Sequence, residues 1–494
     1  MPPKIKKQVE MEKKLSDILN GVAIEDARGN KDAVISSIAF DSRKCVGGSV
    51  FVAVNGTEAD GHRFIPNAIA AGASAIIYQE GTVEAEGITA IKVTDSRKAL
   101  AIMADNFYDH PSSKLELVGI TGTNGKSTTV TLLYDLFTAL GYCCGLFSTI
   151  VNKIDGEEIP ADHTTPDPVS LNAMLAMMAE RGCQYCFMEI SSHSLAQDRV
   201  AGLKFKGGIF SNITHDHLDY HKTFAEYLRC KKLFFDNMPE DAFVLTNLDD
   251  RNGEVMVQNT RAQIKTYSCH RMADFRCKIV EEGLDGMLLE MDGRQFWSKF
   301  IGAHNAHNLL AVYSTAVLLG ADKEEILVKM SALGCVPGRL EYIRGGRDLT
   351  VAVDYAHTPD GLENVLKTLR EAGKDRQLIC VFGCGGNRDR TKRPEMGVIA
   401  TKYADRVFVT SDNPRKEDPE SIIADIRAGL DSRMRAKSIF ITDRREAIRT
   451  AVMTAQEGAV ILVAGKGHED YQIIGETKYH FDDREVVREV LNEI

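Results

Sequence analysis

Apolar and polar positions along this chain follow two alternating rhythms. Short apolar runs bounded by Gly, Pro, Asp or Asn read as strands, and stretches with apolar residues three and four apart read as helices. In residues 1–112, runs at 34–40, 49–54, 75–78 and 90–93 predict strands, with helices near 65–71 and 98–107. Pro111 then marks a boundary. In residues 113–335, runs at 115–120, 185–190, 208–213 and 243–246 alternate with helical patterns at 169–181 and 224–236. The alternation is cleanest in residues 336–494. Strands at 350–353, 377–382, 406–409, 438–441 and 459–463 are separated by helices at 361–369, 394–403, 419–429 and 444–456. Crossovers of that length join parallel strands. The expected class is therefore α/β with three domains, 1–112, 113–335 and 336–494, the last a Rossmann-like doubly wound sheet whose ligands gather at the carboxyl ends of its strands.

The 494-residue length supports a division into three cores, and 44% hydrophobic with 26% charged residues is ordinary for a globular protein. A net charge of −10 argues against a nucleic-acid partner and leaves anionic ligands to local Arg, Lys and N–H clusters. No apolar run approaches the ~20 residues that span a bilayer, so no membrane is expected. The basic start, MPPKIKKQVEMEKK, leads into no apolar stretch; it reads as a solvated, frayed end rather than a secretion signal. Eleven cysteines lack a framework of spacings, which suits reduced thiols. Cys183 and Cys186 form a C-x-x-C inside an apolar run, and buried thiols are expected there.

Chemistry concentrates where strands end. TGTNGKSTT (121–129) joins a strand to a helix and forms a cradle for polyphosphate: Gly122, Thr123, Asn124 and Gly125 supply the turn, and N–H groups face the anion. Lys126 offsets β/γ charge, and a hydroxyl of Ser127 or Thr128 reaches Mg²⁺. A strict P-loop has glycine where this chain has Ile120, so the turn is a tighter variant. The central domain is accordingly expected to be a P-loop ATPase-like α/β unit. Glu189 ends a strand beside this loop, where carboxylates hold Mg²⁺. NITHDHLDYH (212–221) packs three histidines and two aspartates into one segment; oxygen donors with one imidazole suit Mg²⁺ better than zinc here. SSHSLAQDR (191–199) and HTTPDP (163–168) offer hydroxyls, an amide and an arginine for an anionic, hydroxyl-rich substrate. GCGG (383–386) lacks the full G-x-G-x-x-G, which weighs against a dinucleotide site.

Together with DSR (41–43), AHNAHN (303–308), PGRLE (337–341), DYAHTP (354–359), GNRDRTKRP (386–394), DNPR (412–415) and GKGHEDYQ (465–472), these motifs resemble the Mur ligases, which build the peptide of bacterial cell-wall precursors. The resemblance covers nearly the whole chain and is nearest to the branch adding the third peptide residue. It implies a uridine-binding domain, an ATPase domain and an amino-acid-binding domain. It implies Lys126, Glu189, His217 and Lys231 in catalysis, with Ser127, Glu189, His217 and a carbamylated Lys231 as Mg²⁺ ligands. ATP, a co-substrate, falls to residues 122–128 with Asn305, Asn308, Arg339 and Asp354. UDP-MurNAc-L-Ala-D-Glu falls to Ser42, Thr164, Thr165, Ser191, Gln197 and Arg199. Meso-diaminopimelate falls to Arg393, Asp412, Asn413, Pro414, Arg415, Gly465 and Glu469.

The implied reaction phosphorylates the D-glutamate γ-carboxylate and displaces phosphate with an amine. Arg415 is the selectivity residue: a guanidinium fork binds the second carboxylate that distinguishes diaminopimelate from L-lysine, the alternative amino acid. Other readings are a folylpolyglutamate synthase-like ligase, a phosphotransferase and an ATP-binding regulator. The resemblance also implies a monomer in the cytoplasm. His304 departs from the pattern, standing where many relatives have an aromatic residue.

Overall fold

The computed structural model describes residues 11–56, 59–84, 86–161 and 163–494, with the side chains of 218 and 219 left aside. Three separate main sheets follow one another along the chain. The first has five strands in the spatial order Ile24–Arg28, Thr89–Val93, Ala75–Tyr78, Ser49–Val52, Ser37–Ala39. Helix Ser96–Phe107 packs beside it, started by Asp95, whose carboxylate accepts from the N–H groups of Arg97 and Lys98. Most of the basic amino-terminal run lies outside the described residues. Its last two lysines correct the expectation of a frayed end: Lys13–Lys14 pairs with Val34–Ile35, and Lys13 Nζ donates to Asn106 O and Asp109.

The central sheet has eleven strands. At its heart Glu116–Thr121 lies parallel to Tyr185–Glu189 on one side and Gly207–Phe210 on the other. These strands are buried on both faces, which is why they read as unbroken apolar runs. Helix Lys126–Ala139 covers one face through Val130, Leu133 and Phe137, and helix Phe224–Asp236 covers the other through Phe234 and Phe235. Beyond Gln263–Ser268 the sheet continues as an antiparallel meander, Phe275–Gly283, Gly286–Met291 and Arg294–Ser298, whose half-exposed residues gave no apolar run to read. Cys186 is buried, and Cys183 is buried with its Sγ 3.2 Å from Cys143 Sγ.

The third sheet has six strands. Thr350–Asp354, Val460–Ala464, Leu378–Phe382, Arg406–Val409 and Ser438–Phe440 are parallel, as the crossover lengths predict. Glu341–Arg344 adds an antiparallel edge that lacks a recognisable run. Helices Arg444–Met453 and Asp483–Leu491 are tied at their starts by Arg444, which donates from Nε and Nη2 to the two oxygens of Asp483 at 2.8 and 2.7 Å. Both side chains are fully buried. Arg444→Met leaves a buried carboxylate unpaired, and chemical denaturation is expected to show a loss of about 3–5 kcal/mol. A change under about 1 kcal/mol, the scale of exposed pairs, would contradict this. Among the described residues no helix is long and apolar enough to cross a membrane.

Candidate active site

Strand Glu116–Thr121 delivers the chain into a turn, and helix Lys126–Ala139 begins directly after it. Ile120 is buried within the strand, so the turn starts at Gly122. Gly125 sits at φ 85°, and a Cβ there would lie 2.4 Å from Asn308 Oδ1. Only glycine suits both demands. The turn is latched to the end of the neighbouring strand: Thr123 N–H donates to Asn212 O (2.8 Å) and Asn124 N–H to Asn212 Oδ1 (2.9 Å). Ser211 Oγ and Asn212 Nδ2 in turn donate to Asn124 O at 2.8 and 3.0 Å. A loop this constrained is preorganised for an anion.

Two lysines converge on the turn. Lys126 Nζ donates to Gly122 O (3.0 Å) and Thr123 O (2.8 Å), while Lys231 Nζ, from helix Phe224–Asp236, donates to Gly122 O at 2.7 Å. Burial, then repulsion from Lys126, drives the Lys231 ammonium well below the ordinary lysine range, which disfavours the charged form. Glu189, buried at its strand end, accepts from Thr149 N–H (2.7 Å) and Thr149 Oγ1 (3.2 Å), and its charge acts on Lys126. His217 lies across the site at φ 53°, beside Asp216. The surrounding protein, with His193, Lys126 and Lys231, pushes its imidazole down to about 4 against the pull of Asp216, leaving a neutral ring with a lone pair. Ser127 Oγ accepts from Arg339 Nη2 at 3.2 Å.

A cavity of about 440 Å³ opens from the turn toward the third sheet. Its walls include Gly125, Thr128, Asn305, Asn308, Arg339 and Asp354, all expected at an ATP site. Asn308 Nδ2 donates to Asn305 Oδ1 (3.2 Å), and Arg339 stacks 4.7 Å over the Tyr355 ring. Asp354 accepts from the N–H groups of Leu340 and Ala356, both at 2.7 Å. His304 also lines the cavity, its ring pushed down to about 4 by burial.

On the other side of Glu189 lies a hydroxyl-rich cluster. Thr165 Oγ1 donates to Glu189 O (2.9 Å) and accepts from Ser191 N–H (3.2 Å). Arg199 donates to Thr165 O (2.8 Å) and to Gln197 Oε1 (2.7 Å). Thr164 Oγ1 accepts from Thr149 Oγ1 at 3.1 Å. Five of the six residues expected at the UDP-dipeptide site are thus adjacent. Ser42 belongs to the first sheet's segment, in the short helix Ser42–Lys44, and among the described residues no hydrogen bond joins it to the five.

The third sheet brings DNPR and GKGHED together at the ends of neighbouring strands. Arg415, at φ 52°, donates from Nη1 to Gly386 O at 2.9 Å. Among the described residues it forms no ion pair, and burial with nearby Arg388 lowers its affinity for a proton. A positive φ at a non-glycine residue is strain held by its surroundings, here the bond from Arg415 N–H to Ile473 O (3.0 Å). Asp412 Oδ2 is buried without a hydrogen-bond partner among the described residues and faces Gly465, where a Cβ would stand 2.6 Å from it. Asn413 bonds Glu469 Oε2 (2.8 Å) and accepts from Ile473 N–H (2.9 Å), tying hairpin Tyr471–His480 to the loop. Pro414 O packs against Gly386.

Arg393, expected at the amino-acid site, lies beside the loop that carries Arg415. It is fully buried, with Nη1 donating to Glu417 Oε2 (2.9 Å) and Asp425 Oδ2 (2.8 Å). Nη2 donates to Glu417 Oε1 (3.0 Å) and Gly385 O (3.3 Å), while Nε is buried without a hydrogen-bond partner among the described residues. Other residues escaped the sequence reading. Thr149 holds Glu189, and fully buried Lys466 donates to Glu469 Oε2 (3.2 Å) and Tyr471 O. Lys466 lay inside the quoted GKGHED motif, but nothing in the motif distinguishes a buried lysine from a surface one.

Known proteins share this architecture. Residues 34–108 match the Mur ligase family catalytic domain, 120–316 the Mur ligase middle domain, and 338–467 the Mur ligase glutamate ligase domain. A UDP-N-acetylmuramoyl-L-alanyl-D-glutamate–2,6-diaminopimelate ligase of Bacteroides fragilis is 52% identical over 482 residues, covering 97% of this chain and 99% of that one. The protein of the same name from Cytophaga hutchinsonii is 52% identical over 480 residues, covering 97% and 99%. A solved structure of such a ligase superposes with TM-score 0.70 at 33% identity, covering 98% of this chain and 99% of that one. The chain belongs to the Mur ligase family.

Proposed function

We infer that this protein is an ATP-dependent ligase adding meso-diaminopimelate to the D-glutamate of UDP-N-acetylmuramoyl-L-alanyl-D-glutamate, for peptidoglycan precursor synthesis. The single observation behind this reading is the Arg415 guanidinium, without a carboxylate partner among the described residues, in a chain 52% identical to ligases named for that amino acid. L-Lysine lacks the second carboxylate that such a fork would pair.

A carboxylate does not react with an amine at neutral pH. The γ-carboxylate oxygen of D-glutamate attacks the γ-phosphorus of ATP in line, releasing ADP and forming an acyl phosphate. The neutral amine of diaminopimelate then adds to the acyl carbon, and the tetrahedral intermediate expels phosphate, leaving the amide. Lys126 and the turn N–H groups offset charge on the transferring phosphoryl group. Arg339 and Asp354 hold the nucleotide against the turn, and the cluster Thr164, Thr165, Ser191, Gln197 and Arg199, with Ser42, holds the sugar-peptide. Asp412, Asn413, Pro414, Arg415, Gly465 and Glu469 orient the amino acid, with Arg393 bracing them. Segments 1–112, 113–335 and 336–494 act as the three domains that enclose the reactants and exclude water.

Ser127, Glu189, His217 and a carbamylated Lys231 suit Mg²⁺: three of the four present oxygen, and the neutral His217 offers one nitrogen. Bound there, Mg²⁺ supplies charge neutralisation on phosphate oxygens. Burial and the neighbouring Lys126 charge disfavour the Lys231 ammonium and so favour the free amine that adds CO₂, and the carbamate would set an anion beside Lys126. With ¹³C-bicarbonate, NMR is expected to show a carbamate carbon that Lys231→Ala removes; an unchanged spectrum would exclude Lys231 as the modified site. We place the enzyme in the cytoplasm as a monomer.

Purified protein given ATP and UDP-MurNAc-dipeptide should release phosphate only when diaminopimelate is present. With ¹⁸O in the D-glutamate carboxylate, one label should appear in that phosphate. Label retained wholly in the peptide would refute the acyl-phosphate route, and dependence on lysine instead would refute the amino-acid assignment.

A further inference from the structure

The strands Phe243–Asn247 and Gln263–Ser268 run parallel, with Asn247 opposite Tyr267, so the loops after them emerge side by side. One brings Asp249 and the other His270. Helix Ala303–Leu318 starts over the same edge and contributes His307. One donor atom from each of these three residues lies within 4.8 Å of the others, and all three line the nucleotide cavity. We propose that Asp249, His270 and His307 form a binding site for a divalent transition-metal ion of the Zn²⁺ or Co²⁺ class, separate from the Mg²⁺ site at the phosphate turn.

The donor set selects the ion. Two imidazoles and one carboxylate suit zinc, cobalt or nickel, whereas Mg²⁺ and Ca²⁺ favour oxygen. Three protein ligands leave further positions for water or a ligand in the cavity. The donors of His307 and Asp249 are already oriented. His307 Nδ1 lies 2.8 Å from Ala303 O, a group that only accepts, so the hydrogen sits on Nδ1 and Nε2 is left to face Asp249. A backbone carbonyl on the far ring nitrogen is the usual support of a ligating histidine. Asp249 is held in turn: Oδ1 accepts from Ser268 Oγ (2.6 Å), and Oδ2 accepts from Cys269 N–H (2.7 Å). His307 Nε2 shares a proton with Asp249 Oδ2 at 2.8 Å, and an ion bound to both replaces that proton. The His270 ring stands 5.8 Å from the His307 ring, close enough for both nitrogens to reach one ion. His270 is exposed, so it can swing onto an arriving ion.

The test is a Co²⁺ titration of the untagged full-length protein in saturating Mg²⁺, followed by visible absorption. One equivalent of Co²⁺ with an imidazole ligand field is expected, displaced by Zn²⁺ and unaffected by further Mg²⁺. His270→Ala and His307→Gln should each weaken binding at least about tenfold, the lower bound for losing even an outer partner of a metal ligand. His217→Ala, which alters the phosphate-side site, should leave it unchanged. Equal Co²⁺ affinity in wild type and His270→Ala, no Co²⁺ band at all, or loss of the band in His217→Ala would each overturn the proposal. His270 is exposed, so the decisive variant keeps its fold; a thermal melt without added metal verifies this.

Discussion

Lys126→Met is expected to lower kcat by about 10²–10³-fold, the range seen when one preorganised donor to a developing charge is removed. The loss should fall on kcat more than on the KM for ATP, because the charge Lys126 offsets grows as the phosphoryl group transfers. The fold should survive. Among the described residues the Lys126 ammonium bonds only turn carbonyls, Gly122 O and Thr123 O, and Gly122 O retains Lys231 as a donor. A Michaelis constant for ATP that rises as steeply as kcat falls would instead make Lys126 a binding residue. Steady-state phosphate release, with a thermal melt as control, decides between the two.

The second large effect is on selectivity. Arg415→Ala should raise the KM for diaminopimelate about 10- to 150-fold, the equivalent of one charged hydrogen-bonded contact of about 1.5–3 kcal/mol. The KM for ATP should stay near its original value, since the cavity proposed for ATP is walled by other residues. Arg415→Lys keeps the charge without the planar fork and should recover only part of the loss. Turnover of L-lysine should not suffer in proportion, so discrimination narrows. Equal changes in both Michaelis constants would remove Arg415 from the amino-acid site.

Much of this architecture was legible because parallel strands buried on both faces leave unbroken apolar runs, as at Val460–Ala464. The placement of the candidate site residues was legible for a related reason: strand ends in such sheets collect chemistry, and Glu189, Asp354 and Asp412 all stand at or just past one. What escaped was structure fixed by pairing rather than pattern. The meander from Phe275 to Ser298 alternates exposed and buried positions irregularly, and the edge strand Glu341–Arg344 is short and half-exposed. Arg393 shows a deeper limit. Its place in GNRDRTKRP suggested a ligand contact, but only three-dimensional placement reveals that Glu417 and Asp425 pair with its Nη atoms while Nε stays buried without a partner among the described residues. The trio Asp249, His270 and His307 is scattered over three segments, so no spacing rule finds it.

Gly125 and Asn308 touch so closely that a single methyl group would not fit between them. The phosphate turn and the Asn305–Asn308 end of helix Ala303–Leu318 are therefore one mechanical unit. A ligand that tilts that helix end is expected to displace the turn as well. Under the proposed ATP assignment, inhibitors built only on the base are then expected to slow phosphoryl transfer without reaching the phosphates.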